Sequence, residues 1–123
     1  MRQRIVVTGL GVIAPNGIGK DDYWASIIAG KSGITRITGF DVSQYPTQIA
    51  GEVNGFDPIQ YMSKDKPKFM SRFAQFALAS SKMAIKDAGL DLSGEDRGRI
   101  GIASGTAVGG LQIAEEQLSL IHI

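Results

Sequence analysis

The 123-residue chain contains no cysteine. A disulfide scaffold, a thiolate metal site and a cysteine nucleophile are all excluded from these residues, and the composition is compatible with a cytoplasmic protein. Histidine is nearly as scarce. The single His122 lies second from the end, with one apolar neighbour on each side. A tail residue is poorly held, so His122 is a weak centre for a metal cluster or a Ser-His-Asp triad. Neither charge sign dominates: 13 Lys+Arg face 12 Asp+Glu. That balance does not indicate a polybasic nucleic-acid binder, and 43% apolar residues do not indicate disorder. No apolar run approaches the roughly 18 residues of a transmembrane helix. Residues Met1-Arg2-Gln3-Arg4 followed by Ile5 to Ala14 have the outline of a signal peptide. Thr8, Gly9 and Gly11 interrupt it, and Pro15-Asn16-Gly17 supplies a turn in place of a cleavage site.

Glycine is abundant, 16 of 123 residues, about twice its average share. It punctuates a readable order of elements. Ile5-Val6-Val7-Thr8 is β-branched throughout and is predicted to be a central strand buried on both faces. After the turn at Pro15-Asn16-Gly17, Asp21 and Asp22 mark a helix N-terminus. Tyr23, Trp24, Ile27 and Ile28 follow at helical spacing, and Gly30 ends the helix. Residues 31–66 have no strong periodicity. Short extended segments are expected there, for example over Gln48 to Val53, in a stretch that either caps a site or is a surface excursion.

The clearest element is a helix predicted over Phe69 to Ala88, stopped by Gly89. Met70, Phe73, Ala77, Ala84 and Ala88 form one stripe, with Phe69, Phe76 and Met83 beside it as core. Leu90 to Asp96 is a polar loop, and Arg99 to Ser104 reads as a second buried strand. Gly105-Thr106-Ala107-Val108-Gly109-Gly110 is a glycine loop, and a further helix spans Leu111 to Leu118. Strands alternating with helices predict an α/β layered fold with parallel strands.

Few residues carry chemistry. Gly9-x-Gly11-x-x-Ala14 loosely matches a dinucleotide fingerprint, but Pro15-Asn16-Gly17 falls where its helix should run, and no acidic residue closes a second strand about 20 residues on. The 105–110 loop is followed by Leu111 and Gln112, without the Lys-Ser/Thr of a phosphate loop. It either packs tightly or lines an apolar channel, with Val108 as its one bulky side chain. Lys64, Lys66, Lys68 and Arg72 cluster around Asp65. Such a run is either a solvated face or a docking patch for an acidic partner. Glu115 and Glu116 are adjacent and point to different helix faces, so they do not form an acid/base pair.

Four stretches together carry a family resemblance. Arg4-Ile5-Val6-Val7-Thr8-Gly9-Leu10-Gly11, Trp24 to Gly30 with Lys31-Ser32-Gly33-Ile34, Arg72 to Leu90, and Arg99 to Gly110 resemble, in order and spacing, the β-ketoacyl-[acyl-carrier-protein] synthases, in particular the elongating synthase II type. The resemblance covers residues 4 to about 116. It implies that residues 1–123 are an incomplete N-terminal portion of a thiolase-like layered αβαβα fold, within one synthase N-terminal domain. Leu118 to Ile123 depart from the family pattern, and a truncation or frame error near Leu118 is expected.

The reaction implied is decarboxylative Claisen condensation of an acyl-enzyme with malonyl-carrier protein in fatty acid elongation. The family's nucleophilic cysteine and two histidines match no residue of this chain, so no catalytic residue is carried over and residues 1–123 are expected to be inactive alone. No cofactor or metal is implied. The implied partner is acyl-carrier protein with phosphopantetheine-linked acyl and malonyl groups. The family is usually a cytoplasmic homodimer, without nucleic-acid or membrane partners. Val108, with Gly109, matches the position that faces the growing acyl chain. Lys64, Lys66, Lys68 and Arg72 lie near the carrier-protein contact segment. The alternative is a non-catalytic chain-length-factor-like subunit of a polyketide synthase. A degradative thiolase fits less well, and a nucleotide-binding domain least.

Overall fold

In the computed structural model, which describes residues 3–121, the chain first reverses at Pro15-Asn16. Strand β1 (Ile13–Ala14) pairs antiparallel with β2 (Gly17–Ile18), Ala14 opposite Gly17. Helix α1 (Lys20–Ile28) follows with Asp21 and Asp22 in its first turn, where carboxylates meet the positive end of the helix dipole. It stops at Gly30, whose φ is 65°. The Gly30 N–H donates to the Ile27 carbonyl at 3.0 Å and the Lys31 N–H to that of Ser26 at 2.9 Å, the paired bonds of a Schellman cap.

Strand β3 (Ile34–Arg36) pairs antiparallel with β4 (Ile49–Gly51), inside the Gln48–Val53 stretch expected to be extended. Just past β4, the Glu52 carboxylate accepts from the Thr38 hydroxyl at 2.7 Å, the Thr38 N–H at 2.9 Å and the Gly39 N–H at 3.0 Å. These donors, the hydroxyl first, hold its pKa below the ordinary carboxylate value. Two 3₁₀ turns (Pro58–Gln60 and Lys66–Phe69) lead into α2 (Arg72–Asp87). Helix α2 ends at Gly89 as α1 ends at Gly30, with the Leu90 N–H reaching the Ile85 carbonyl at 3.2 Å. A 3₁₀ turn (Arg97–Arg99) precedes α3 (Leu111–Ile121). His122 lies outside the described residues.

Strands and helices alternate as in the N-terminal portion of a thiolase-like α/β fold. Three local expectations are corrected. The ladders are two separate antiparallel pairs, not a parallel sheet. The predicted strands Ile5–Thr8 and Arg99–Ser104 join no ladder among the described residues, and Ile5 and Ile102 are 96% and 95% exposed. β-Branched residues favour a strand, but strand structure needs a neighbour's N–H and C=O groups, and none of the described residues supplies them. Third, α2 begins at Arg72, because Met70 and Ser71 have extended dihedrals. Phe69 therefore sits on the preceding turn, 86% exposed, not in the core stripe.

The buried apolar residues among those described are Val42, Phe56, Met62 and Ala79. Phe56 anchors this small core. It stacks on Tyr61 with centroids 5.8 Å apart and meets the edge of Phe76, from α2, at 4.9 Å. The accessible surface is 10186 Å², against about 6,400 Å² for a closed globule of this mass. Ile5, Val7 and Ile102 contribute large apolar faces to the excess. Purified on its own, the 123-residue chain is expected to bind a hydrophobic dye strongly and to aggregate as concentration rises. A dye-silent monomer with a sharp cooperative melt would contradict this.

Candidate functional site

Helix α2 positions the candidate residues. At its start the Gln75 amide donates to the Pro67 carbonyl at 3.1 Å and to that of Met70 at 2.9 Å. One side chain thereby ties both ends of the Lys66–Phe69 turn to the helix. Arg72 donates to the Val53 carbonyl at 2.6 Å, and its guanidinium lies 5.0 Å from the Phe76 ring centroid and 6.0 Å from that of Phe56. Arg72 thus braces the 53–56 segment against α2 through a hydrogen bond and cation–π contacts. Lys64, Lys66 and Lys68 are exposed, and none pairs with a carboxylate among the described residues.

Between this turn and α3 lies an open cleft of about 570 Å³. Lys68, Phe69, Arg72 and Gln75 form one wall; Ile113 and Glu116 stand on the other. The cleft brings together Lys68 and Arg72 of the basic cluster but not Lys64 or Lys66. Val108 and Gly109 are not part of it. Gly109 instead lies on the Phe73 ring, so close that a Cβ would fall 2.7 Å from the ring carbons. The glycine loop is tightly packed at Gly109. Val108 is 72% exposed at the loop's surface.

Gly9 and Gly11 are explained by packing. A Cβ on Gly11 would fall 1.9 Å from the Ser80 carbonyl oxygen, and one on Gly9 would fall 2.2 Å from that of Ala84. The glycines bring the 9–11 backbone against α2, so the dinucleotide-like spacing needs no phosphate to account for it. Asp87 fixes this approach. Its carboxylate accepts from the Leu10 N–H at 3.0 Å and pairs with the Lys20 ammonium. The Lys20 hydrogen bond, then the Leu10 N–H, holds the Asp87 pKa below its ordinary value. The same bond and the Asp87 charge raise that of Lys20.

Phe69, Gln75 and Asp87 were not singled out from sequence as functional or positioning residues. Pro67, which lies inside the basic run and fixes a turn ahead of α2, is the signal that Phe69 lies outside the helix. Gln75 gives no comparable signal because its partners are main-chain carbonyls of the preceding turn, and Asp87 gives none because Leu10 and Lys20 lie 77 and 67 residues away in sequence. Among the described residues, no group of three or more His, Cys, Asp or Glu side chains is placed to hold a metal ion. No helix among them is long and apolar enough to cross a membrane.

The family model described as "Beta-ketoacyl synthase, N-terminal domain" matches residues 2–121. The chain is 41% identical over 114 residues to 3-oxoacyl-[acyl-carrier-protein] synthase 2 of Vibrio cholerae, covering 93% of this chain and 28% of that protein. Among solved structures, the ishigamide ketosynthase/chain length factor superposes with a TM-score of 0.70 at 39% identity, covering 76% of this chain and 23% of that one. A type II polyketide synthase acyl-carrier protein in complex with its ketosynthase matches with a TM-score of 0.54 at 33% identity, covering 74% and 20%. The chain therefore spans less than a third of the length of these relatives.

The Asp87 clamp has a pH signature. A carboxyl whose folded pKa is depressed contributes stability above its unfolded pKa, about 3.9 for Asp, and loses it as pH falls through the folded value. The raised Lys20 works at the other end: its contribution is present below its unfolded pKa, about 10.4, and is lost as pH rises through the folded value. Protection of the Leu10 amide against hydrogen exchange, corrected for intrinsic rate, is expected to hold near neutrality and fall below about pH 4. Asp87→Asn should lower protection at neutral pH and remove the acid loss. An unchanged profile in that variant would show that Asp87 does not hold the segment.

Proposed function

The chain belongs to the β-ketoacyl synthase family, in its N-terminal domain, and on that premise we propose that it is the N-terminal portion of a 3-oxoacyl-[acyl-carrier-protein] synthase of fatty acid elongation. The observation that carries this reading is the 41% identity to such a synthase across 93% of the chain. In the reaction, an acyl group passes from carrier protein to a cysteine thiolate of the enzyme. Malonyl-carrier protein then loses CO₂, and the carbanion left on the thioester attacks the acyl carbonyl. The new carbon–carbon bond forms as the thiolate departs. With no cysteine in its 123 residues, this chain supplies framework and recognition, and the nucleophile belongs to residues outside it. A second reading, a chain-length-factor-like subunit without a nucleophile, is favoured by the likeness to the ketosynthase/chain length factor structure. A cytoplasmic homodimer, free of nucleic-acid and membrane partners, accompanies the first reading.

Two groups of residues then take roles. Val108, exposed beside a glycine pressed on Phe73, contributes with Gly109 to the wall against which the acyl chain grows. Lys64, Lys66 and Lys68 are exposed cations on one short stretch with no ion-pair partner among the described residues, suited to an acidic carrier protein; Arg72, held on the Val53 carbonyl and the Phe56 and Phe76 rings, is the fourth cation of that docking patch.

The complete enzyme should condense acyl and malonyl groups borne on carrier protein, with CO₂ release, and Val108→Phe should shorten its products. No condensation by the complete protein would favour the chain-length-factor reading, and an unchanged product profile in the variant would remove Val108 from the acyl pocket. Lys66→Glu combined with Lys68→Glu should weaken carrier-protein binding at low salt by about tenfold or more and flatten its salt dependence. Unchanged affinity would reject the docking role of these lysines.

A further inference from the structure

Phe69 is the most exposed aromatic side chain among the described residues, at 86%. It projects from a 3₁₀ turn, Lys66–Phe69. Residues three apart eclipse one another in such a helix, so Lys66 and Phe69 share one edge while Lys68 stands beside them. The turn is also held still. Pro67 presets its dihedrals, and Gln75 fastens both the Pro67 and Met70 carbonyls to α2. An aromatic ring left in water on a rigid mount, bordered by unpaired cations, has the character of an interface anchor. The cleft of about 570 Å³ beside it offers room for a partner side chain, with Ile113 as apolar wall and Glu116 as the carboxylate on its far side.

We infer that Phe69 is the apolar anchor of the carrier-protein docking surface, covered by an acidic face of the carrier protein that presents an apolar side chain to it. This rests on the synthase reading above. The choice of an acidic partner follows from charge: Lys66 and Lys68 share the turn with the ring and Lys64 precedes them in sequence, Asp65 is the one carboxylate in the same run, and none of the three lysines has a counter-charge among the described residues. The lysines steer the approach and set its salt dependence. Phe69 supplies contact area that salt does not screen, and its share of the affinity lies in slower dissociation.

The test is carrier-protein binding to the complete synthase, measured across a range of salt concentrations. Phe69→Ala should weaken binding about five- to thirtyfold, raise the dissociation rate and leave the salt slope unchanged. Phe69→Leu should recover most of the loss. Lys66→Glu with Lys68→Glu should instead change the slope. If Phe69→Ala binds as tightly as the parent while the lysine variant is weakened, the anchor is rejected and the docking reading stands. If neither variant weakens binding, the docking reading itself falls. If Phe69→Ala lowers the melting temperature but not the affinity, the ring is covered by the synthase's own chain, which overturns the inference.

Discussion

The structure depends on how closely the 9–11 backbone approaches α2. At Gly11 a single added carbon would sit inside the Ser80 carbonyl oxygen. Ser80, Ala84 and Ala88 leave the matching face of the helix almost bare of side chain. Contact at that range yields many dispersion interactions per residue and leaves no space for water. It also carries the Leu10 N–H to the Asp87 carboxylate at the helix end. Lys20 brings the start of α1 to the same carboxylate. One acidic side chain thus joins three parts of the chain, with charge helping because the site is only partly exposed.

From that junction α2 distributes the remaining order along its length. Its middle carries Ala79 into the core, and Phe76 meets Phe56 one turn earlier. Its first turns fix the 3₁₀ turn through Gln75, the 53–56 segment through Arg72, and the glycine loop through Phe73. These last contacts are a pair of hydrogen bonds from Gln75, one hydrogen bond and two ring contacts from Arg72, and the Phe73 ring, and they hold the surface features that the proposed function uses. The glycine-packed end of α2 is structural, and the proposed function assigns recognition to the other end, where short segments are supported by a rigid element.

Local signals were legible where they concern a residue and its near neighbours. Both glycine stops, the Pro15-Asn16 turn and the acidic start of α1 follow from capping and turn chemistry that is complete within a few residues, and α1 and α2 from apolar spacing within their own lengths. The predicted burial of Ile5–Thr8 and Arg99–Ser104 depended instead on neighbours, and periodicity is silent about whether those neighbours are present. The same limit governs the site. The basic cluster could be read because like charges lie side by side in sequence. Arg72 was grouped with it by spacing alone, while its guanidinium is committed to the Val53 carbonyl and two rings. The helical pattern, extended from Phe69, places its ring in the core, whereas α2 begins three residues later at Arg72.

That three-residue difference alters the physics of the surface. Had α2 begun at Phe69, its ring would have joined the stripe that packs inward, leaving only lysines outside. A purely cationic patch draws an acidic partner quickly but holds it weakly at physiological salt, since exposed charges are screened over about 8 Å. Burying a phenyl ring contributes roughly 1.5–3 kcal/mol that salt does not diminish, a term comparable to several exposed ion pairs at about 0.2–1 kcal/mol each. Pro67 and Gln75 therefore do more than shape a loop. By ending the helical pattern and pinning the turn, they fix the backbone that presents the ring to solvent, so that in the proposed docking surface less main-chain freedom remains to be lost when a partner arrives.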